Sequence, residues 1–205
     1  MIETFRSVVR FRRPTINPVE RRLQKCVSVE DMRRIARRRL PRGVFDYIDG
    51  GAEDERTMQR NVDAFAQYQF EPRVLRDVSG LDTSTTLFGR PLSMPVVIAP
   101  TGYTRIADSQ GELAVARAAD RAGIPYSLST MGTRSIEDVA AAGNADKWFQ
   151  IYTRRDRPLV EELVARAKAA GYTTVSHTVD TAVLGRRERE VRRGFTLPPK
   201  IGPRT

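Results

Sequence analysis

A single cysteine, Cys26, and a single histidine, His177, are all that 205 residues contain of either type. One cysteine excludes an internal disulfide and any multi-cysteine metal site, and it fits a reducing compartment. One histidine excludes a site that needs two, and no metal site is expected. No apolar run approaches the roughly 20 residues that span a bilayer. Arg6 interrupts the N-terminal segment and no apolar core of signal-peptide type follows it, so a cytoplasmic location is expected. There is also no Gly-x-Gly-x-x-Gly after the first expected strand and no phosphate loop.

What is present is a globular composition, 40% hydrophobic and 29% charged. Residues 1–42 carry 13 Lys/Arg against 4 Asp/Glu, residues 43–182 carry 15 against 19, and residues 183–205 carry 7 against 2, so the net +10 is terminal and the body mildly acidic. Residues 1–26 read as a basic arm, with Arg12, Arg13, Arg21, Arg22 and Lys25 among its cations. Its only aromatics are Phe5 and Phe11, so no nucleic-acid partner is expected. A solvated arm is the favoured reading, and peripheral association with an anionic membrane the minority one.

Residues 27–205 form the folded unit. Val27 to Leu40 reads as a helix capped by Ser28 and stopped by Pro41, Val44 to Ile48 as a short turn of helix ending at Gly50, and Glu53 to Gln67 as another helix. Phe70 to Leu87 is mixed and extended, and is expected to close one end of the fold. From Met94 a rhythm begins: strands at Pro95 to Ala99, Tyr126 to Ser129, Trp148 to Tyr152 and Thr173 to Asp180 alternate with helices at 111–122, 135–142 and 158–170. Such alternation implies right-handed crossovers and a parallel sheet. Each strand hands polar groups to one end: Thr101, Ser129 with Thr130, Gln150 with Tyr152, and Thr178 with Asp180. A flavodoxin-like sheet shares the alternation, but the missing glycine fingerprints favour an α/β barrel, whose strands project their chemistry from the C-terminal rim. After the last strand, a basic loop brings Arg186 and Arg187 to that rim. By strand alternation His177 points away from Thr178 and Asp180, into the helical layer, as a packed histidine.

Five stretches in order, Phe45-Asp-Tyr-Ile-Asp-Gly-Gly-Ala-Glu-Asp54, Met94-Pro-Val-Val-Ile-Ala-Pro-Thr101, Leu128-Ser129, Trp148-Phe-Gln-Ile-Tyr152, and Thr178-Val-Asp-Thr181 with Gly185-Arg-Arg187, resemble the FMN-dependent α-hydroxy-acid dehydrogenase and oxidase family. That family includes lactate dehydrogenases and glycolate oxidases, and the resemblance covers about residues 27–203. It implies the N-terminal half of a (β/α)8 TIM barrel with preceding N-terminal helices, FMN as cofactor, and oxidation of an L-2-hydroxy acid such as lactate to the 2-keto acid. The electron acceptor (oxygen, a quinone or another) stays open, as does the particular acid. The full-length family implies a homo-oligomer.

By the same resemblance, Pro100, Thr101, Gly102, Ser129, Gln150 and Thr178 address the flavin. Tyr47 and Arg187 hold the substrate carboxylate or the developing oxyanion, Tyr152 hydrogen-bonds the substrate hydroxyl or carbonyl oxygen, and Asp180 orients a catalytic histidine and stabilises its charged form. Met131 shapes the substrate pocket. The family's catalytic His-x-x-Arg unit, its flavin-facing lysine and its phosphate-holding loops belong to later strands, which these 205 residues do not contain. Two readings therefore stand: an incomplete oxidoreductase, and a non-catalytic remnant that folds or associates without turnover.

Overall fold

The computed structural model describes residues 15–195; the arm expected at residues 1–14 lies outside the described residues, as do residues 196–205. Within the remainder of the expected arm, Asn17 accepts hydrogen bonds from the Val19 and Glu20 amides and starts α1, Pro18–Leu23. Ser28 does the same for Asp31 at the head of α2, Val29–Arg39, and Pro41 follows its end. α3, Arg42–Asp49, ends at Gly50, where a β-carbon would lie 2.6 Å from the Asp46 carbonyl oxygen. α4, Arg56–Asp63, runs on into a 3₁₀ turn, Ala64–Gln67.

Most of the stretch expected to close one end of the fold stays in solvent: Phe70 is 100% and Leu75 103% exposed. Its last three residues do the covering, as β1 Thr85–Leu87 of a hairpin with β2 Arg90–Leu92 that the sequence does not announce. Its turn is Phe88-Gly89, both at positive φ, the geometry that matches strand twist. Leu92 is buried, and the Phe88 ring packs 5.5 Å from Trp148 at the N-terminal end of the sheet.

That sheet is parallel, in the order β3 Tyr126–Ser129, β4 Lys147–Tyr152 and β5 Thr174–Thr178. α5, Glu112–Ala122, precedes β3, while α6, Ile136–Ala141, and α7, Arg157–Ala169, make the two crossovers. The strand expected at Pro95 to Ala99 is reduced to one parallel bridge between Ile98 and Tyr126. Prolines at 95 and 100 remove the amides that a longer ladder needs, so only Ile98 donates to and accepts from the β3 side.

Period-two alternation then separates two faces. Tyr126 and Leu128 of β3 and Phe149 and Ile151 of β4 pack against Ala116, Val139 and Ala167 of the helices. Ser127, Ser129, Gln150 and Thr178 lie on the other side. Phe149 is 1% exposed and meets Tyr172 edge-on, and the Tyr172 hydroxyl donates to the Ile136 carbonyl at 3.0 Å.

Candidate active site

The inner face of the sheet ends in a hydrogen-bonded chain that crosses three strands. Register sets Ser129 beside Gln150 and Tyr152 beside Thr178. The Ser129 hydroxyl donates to Gln150 Oε1 at 3.1 Å, and the Thr130 amide donates to the same oxygen at 3.1 Å. Gln150 Nε2 donates to Thr178 Oγ1 at 2.7 Å. Ser129 Oγ also accepts from the Met131 amide. Ser129 and Gln150 are 5% and 3% exposed, so water cannot substitute for these partners. One Gln150 amide hydrogen and the Thr178 hydroxyl hydrogen remain as donors at the C-terminal end of the sheet.

These groups form the floor of a pocket of about 300 Å³, lined by Tyr47, Pro100, Gly102, Tyr103, Ser129, Met131, Gln150, Tyr152 and Thr178. Three tyrosines from three separate elements meet here. Tyr47 comes from α3, Tyr152 from the end of β4, and Tyr103 from the loop before a 3₁₀ turn, Thr104–Ile106. Tyr103 has φ +56°, a left-handed conformation unusual for a bulky side chain, and its amide is held by the Met131 carbonyl at 2.9 Å. At Gly102 a β-carbon would lie 2.9 Å from the β-carbon of Met131, so the two loops touch where the pocket closes.

Arg187 does not line the pocket; it stacks on the tyrosine that does. Its guanidinium carbon lies 5.1 Å from the Tyr47 ring centre. Nη2 donates to the Gly50 carbonyl at 2.8 Å and to that of Tyr47, and Nε is ion-paired with Glu190 without hydrogen-bond alignment. Burial pushes the Tyr47 phenol above its ordinary value and the Arg187 charge pulls it part of the way back, so the phenol is a proton donor at neutral pH.

Two expected site residues stand apart. Asp180 is exposed just beyond β5, and Thr101 is exposed, with its carbonyl accepting from the Thr104 hydroxyl; neither lines the pocket. His177 faces away from Thr178 as alternation requires, but it is exposed rather than packed, with Nε2 against the Thr153 hydroxyl. Residues 186–195, read as a basic loop, contain α8, Glu188–Arg193, which lies against α3. Arg189 reaches Asp49 at 2.9 Å and also Glu55, and Arg193 reaches Asp46.

Behind the pocket wall, Glu112 at the start of α5 has no exposed surface. It accepts from the Thr133 amide at 2.8 Å and from the Thr133 hydroxyl. Burial raises its carboxyl, and those hydrogen bonds outweigh burial, so it lies below the usual range. The sequence reading missed Glu112 and Tyr103. Alternation gave no cue to either, since both lie between strands.

The donor set fits a flavin ring, whose polar edge presents carbonyl oxygens and ring nitrogens to amide and hydroxyl donors of this kind. No Lys or Arg lines this pocket, so its lining offers no side-chain cation to a phosphate. A larger recess lies on the opposite side of α3, lined mainly by arginines.

Comparison with known proteins points the same way. Over 199 residues the chain is 47% identical to a putative L-lactate dehydrogenase of Mycobacterium tuberculosis, covering 97% of this chain and 48% of the relative. It is 46% identical to glycolate oxidase 5 of Oryza sativa subsp. japonica, over 85% of this chain and 47% of that protein. A crystal structure of a soluble mutant of the membrane-associated (S)-mandelate dehydrogenase from Pseudomonas putida superposes with a TM-score of 0.80 at 44% identity, over 86% of this chain and 50% of that one. The chain thus spans about half the length of the relatives it matches, and its fold is the N-terminal half of their barrel. Residues 36–205 match the family described as FMN-dependent dehydrogenase, and it is to this family that the chain belongs.

Proposed function

We propose that this chain supplies the flavin-facing floor and the substrate-oxygen side of an active site that oxidises an L-2-hydroxy acid, such as lactate, to the 2-keto acid. The observation that carries the reading is the Ser129–Gln150–Thr178 chain, which ends in free donors directly under a pocket walled by Tyr47 and Tyr152. Bound FMN supplies the two-electron acceptor. Ser129, Gln150 and Thr178 hold its ring edge, and Pro100, Thr101 and Gly102 approach it through backbone. Tyr152 donates to the substrate oxygen. Tyr47, kept protonated by burial, and Arg187 beside it hold the carboxylate, a task suited to a guanidinium once its Tyr47 and Gly50 carbonyl contacts are exchanged. Asp180 orients a histidine base.

That base is not in this pocket, because the only histidine of the chain is exposed on the outer face of β5. A positioned base contributes about 10² to 10⁴ in rate. This observation favours, for the isolated chain, the second reading of a fragment that binds without turnover. No helix among the described residues is long and apolar enough to cross a membrane. A cytoplasmic location with peripheral membrane association, division at residue 26 into arm and catalytic unit, and homo-oligomerisation belong to the proposal; the terminal basic charge and the membrane-associated mandelate dehydrogenase relative support the membrane part.

The test is anaerobic. Chain with excess FMN is titrated with lactate, glycolate and mandelate while the flavin spectrum is followed. The expected result is a perturbed spectrum without rapid bleaching, the perturbation weakened in Tyr47→Phe and Tyr152→Phe. Rapid bleaching would place the base in this chain after all, and an unperturbed spectrum would leave only a remnant without a substrate site.

A further inference from the structure

We propose that the recess between α2, α3 and α8 is a docking surface for an acidic polypeptide segment of a partner protein. It encloses about 1070 Å³ and is lined by eight arginines against two carboxylates, Asp46 and Asp49. The carboxylates are already engaged: Arg33 and Arg189 hold Asp49, and Arg193 holds Asp46. Among the described residues, Arg37, Arg38 and Arg42 have no carboxylate partner. Arg37 and Arg38 stand in the last turn of α2 and Arg42 in the first of α3, so one bend presents all three. These three are exposed cations, and each guanidinium offers a carboxylate a fork of two parallel donors.

Shape and chemistry decide which anion. Small-molecule sites are mostly apolar, whereas Phe45 is the only apolar residue lining this recess, and it is buried. A flat bilayer would meet the rim, whereas a flexible chain can enter a recess of about 1070 Å³. Arginine is enriched at protein interfaces, where charge complementarity sets partner choice and speeds encounter. An acidic segment of several residues fills the volume and pairs with each free arginine. The surface is also connected to the pocket, since α3 carries Tyr47 toward one and Asp46 and Asp49 toward the other. A docked segment would sit about one helix diameter, ~10 Å, from the pocket wall.

The experiment needs no flavin, so its outcome is separate from that of the oxidoreductase reading. A fluorescein-labelled deca-glutamate peptide is titrated with the purified chain and followed by anisotropy. Saturable binding is expected that weakens with salt. It should fall about 10-fold in the triple variant Arg37→Gln, Arg38→Gln, Arg42→Gln, and further in the triple Glu variant. Reversal of three exposed arginines elsewhere, Arg60→Glu, Arg73→Glu and Arg121→Glu, should leave it within a factor of about 3. Circular dichroism checks that each variant is folded, and the Gln triple keeps the test valid if the Glu triple is not. Equal loss in the control variant, or no binding by the unaltered chain, would overturn the proposal. So would tripolyphosphate binding as tightly as the peptide, or phosphatidylglycerol vesicles binding in place of the peptide through the same three arginines.

Discussion

At the scale of single residues, Gln150 joins structure and function. Its amide oxygen serves Ser129 and Thr130 and its nitrogen serves Thr178. Gln150→Leu keeps the volume and orphans these groups, so it should cost about 1–3 kcal/mol in a denaturant melt. Arg187 gives a sharper test because it acts on Tyr47 by charge. Removing that charge in Arg187→Leu removes the influence that lowers the phenol, so Tyr47 should titrate at higher pH still, read as the tyrosinate absorbance difference from Tyr47→Phe. Glu112 governs acid behaviour. Its folded-state carboxyl is depressed, so its contribution to stability is present above its unfolded value and is lost as pH falls through the folded one. The stability of the unaltered chain should therefore decline with acid more than that of Glu112→Gln, which has no proton to gain. Ser129, Gln150, Tyr152 and Thr178 were legible in the sequence because strand alternation fixes which side chains share a face. Tyr103 was not, since a left-handed backbone angle in a loop leaves no periodic trace.

At the scale of elements, the helices that read clearly were those with a cap and a stop. Ser28, Ser135 and Asp156 each accept from an amide three residues on, and β3, β4 and β5 fall within two residues of expectation, whereas the strand expected at Pro95 to Ala99 shrinks to one bridge. α8 escaped because its six residues are almost all charged and carry no apolar stripe. Tertiary ion pairs hold it instead, with Arg189 bridging Asp49 and Glu55. Arg189 and Asp49 are 31% and 9% exposed, so this network is only partly screened. Arg189→Ala should release α8 from α3, which limited trypsin digestion would report as faster cleavage after Arg186 and Arg187. High salt should have the same effect on the unaltered chain and little further effect on the variant. Equal cleavage rates would show that α8 is held by its other contacts alone. His177 belongs to this scale too: its direction follows from alternation, whereas its exposure does not, since alternation fixes where a side chain points and not what packs on that face.

At the scale of the whole molecule, the described residues make three paired parallel strands and one bridge, with the Ser129–Gln150–Thr178 chain under a pocket that no Lys or Arg lines. That arrangement predicts an affinity pattern which a whole enzyme would not show. Lumiflavin, which has the ring and no phosphate, should bind the 205-residue chain about as well as FMN, and both weakly. The most direct measurement is a titration of flavin fluorescence with the unaltered chain and with Gln150→Leu, using FMN and lumiflavin side by side. Quenching by the unaltered chain is expected with dissociation constants for the two flavins within a factor of about 3, and a loss of about 10-fold or more for both in the variant, the equivalent of ~1.4 kcal/mol. FMN binding that is unaffected by Gln150→Leu, or no quenching of either flavin, would contradict it.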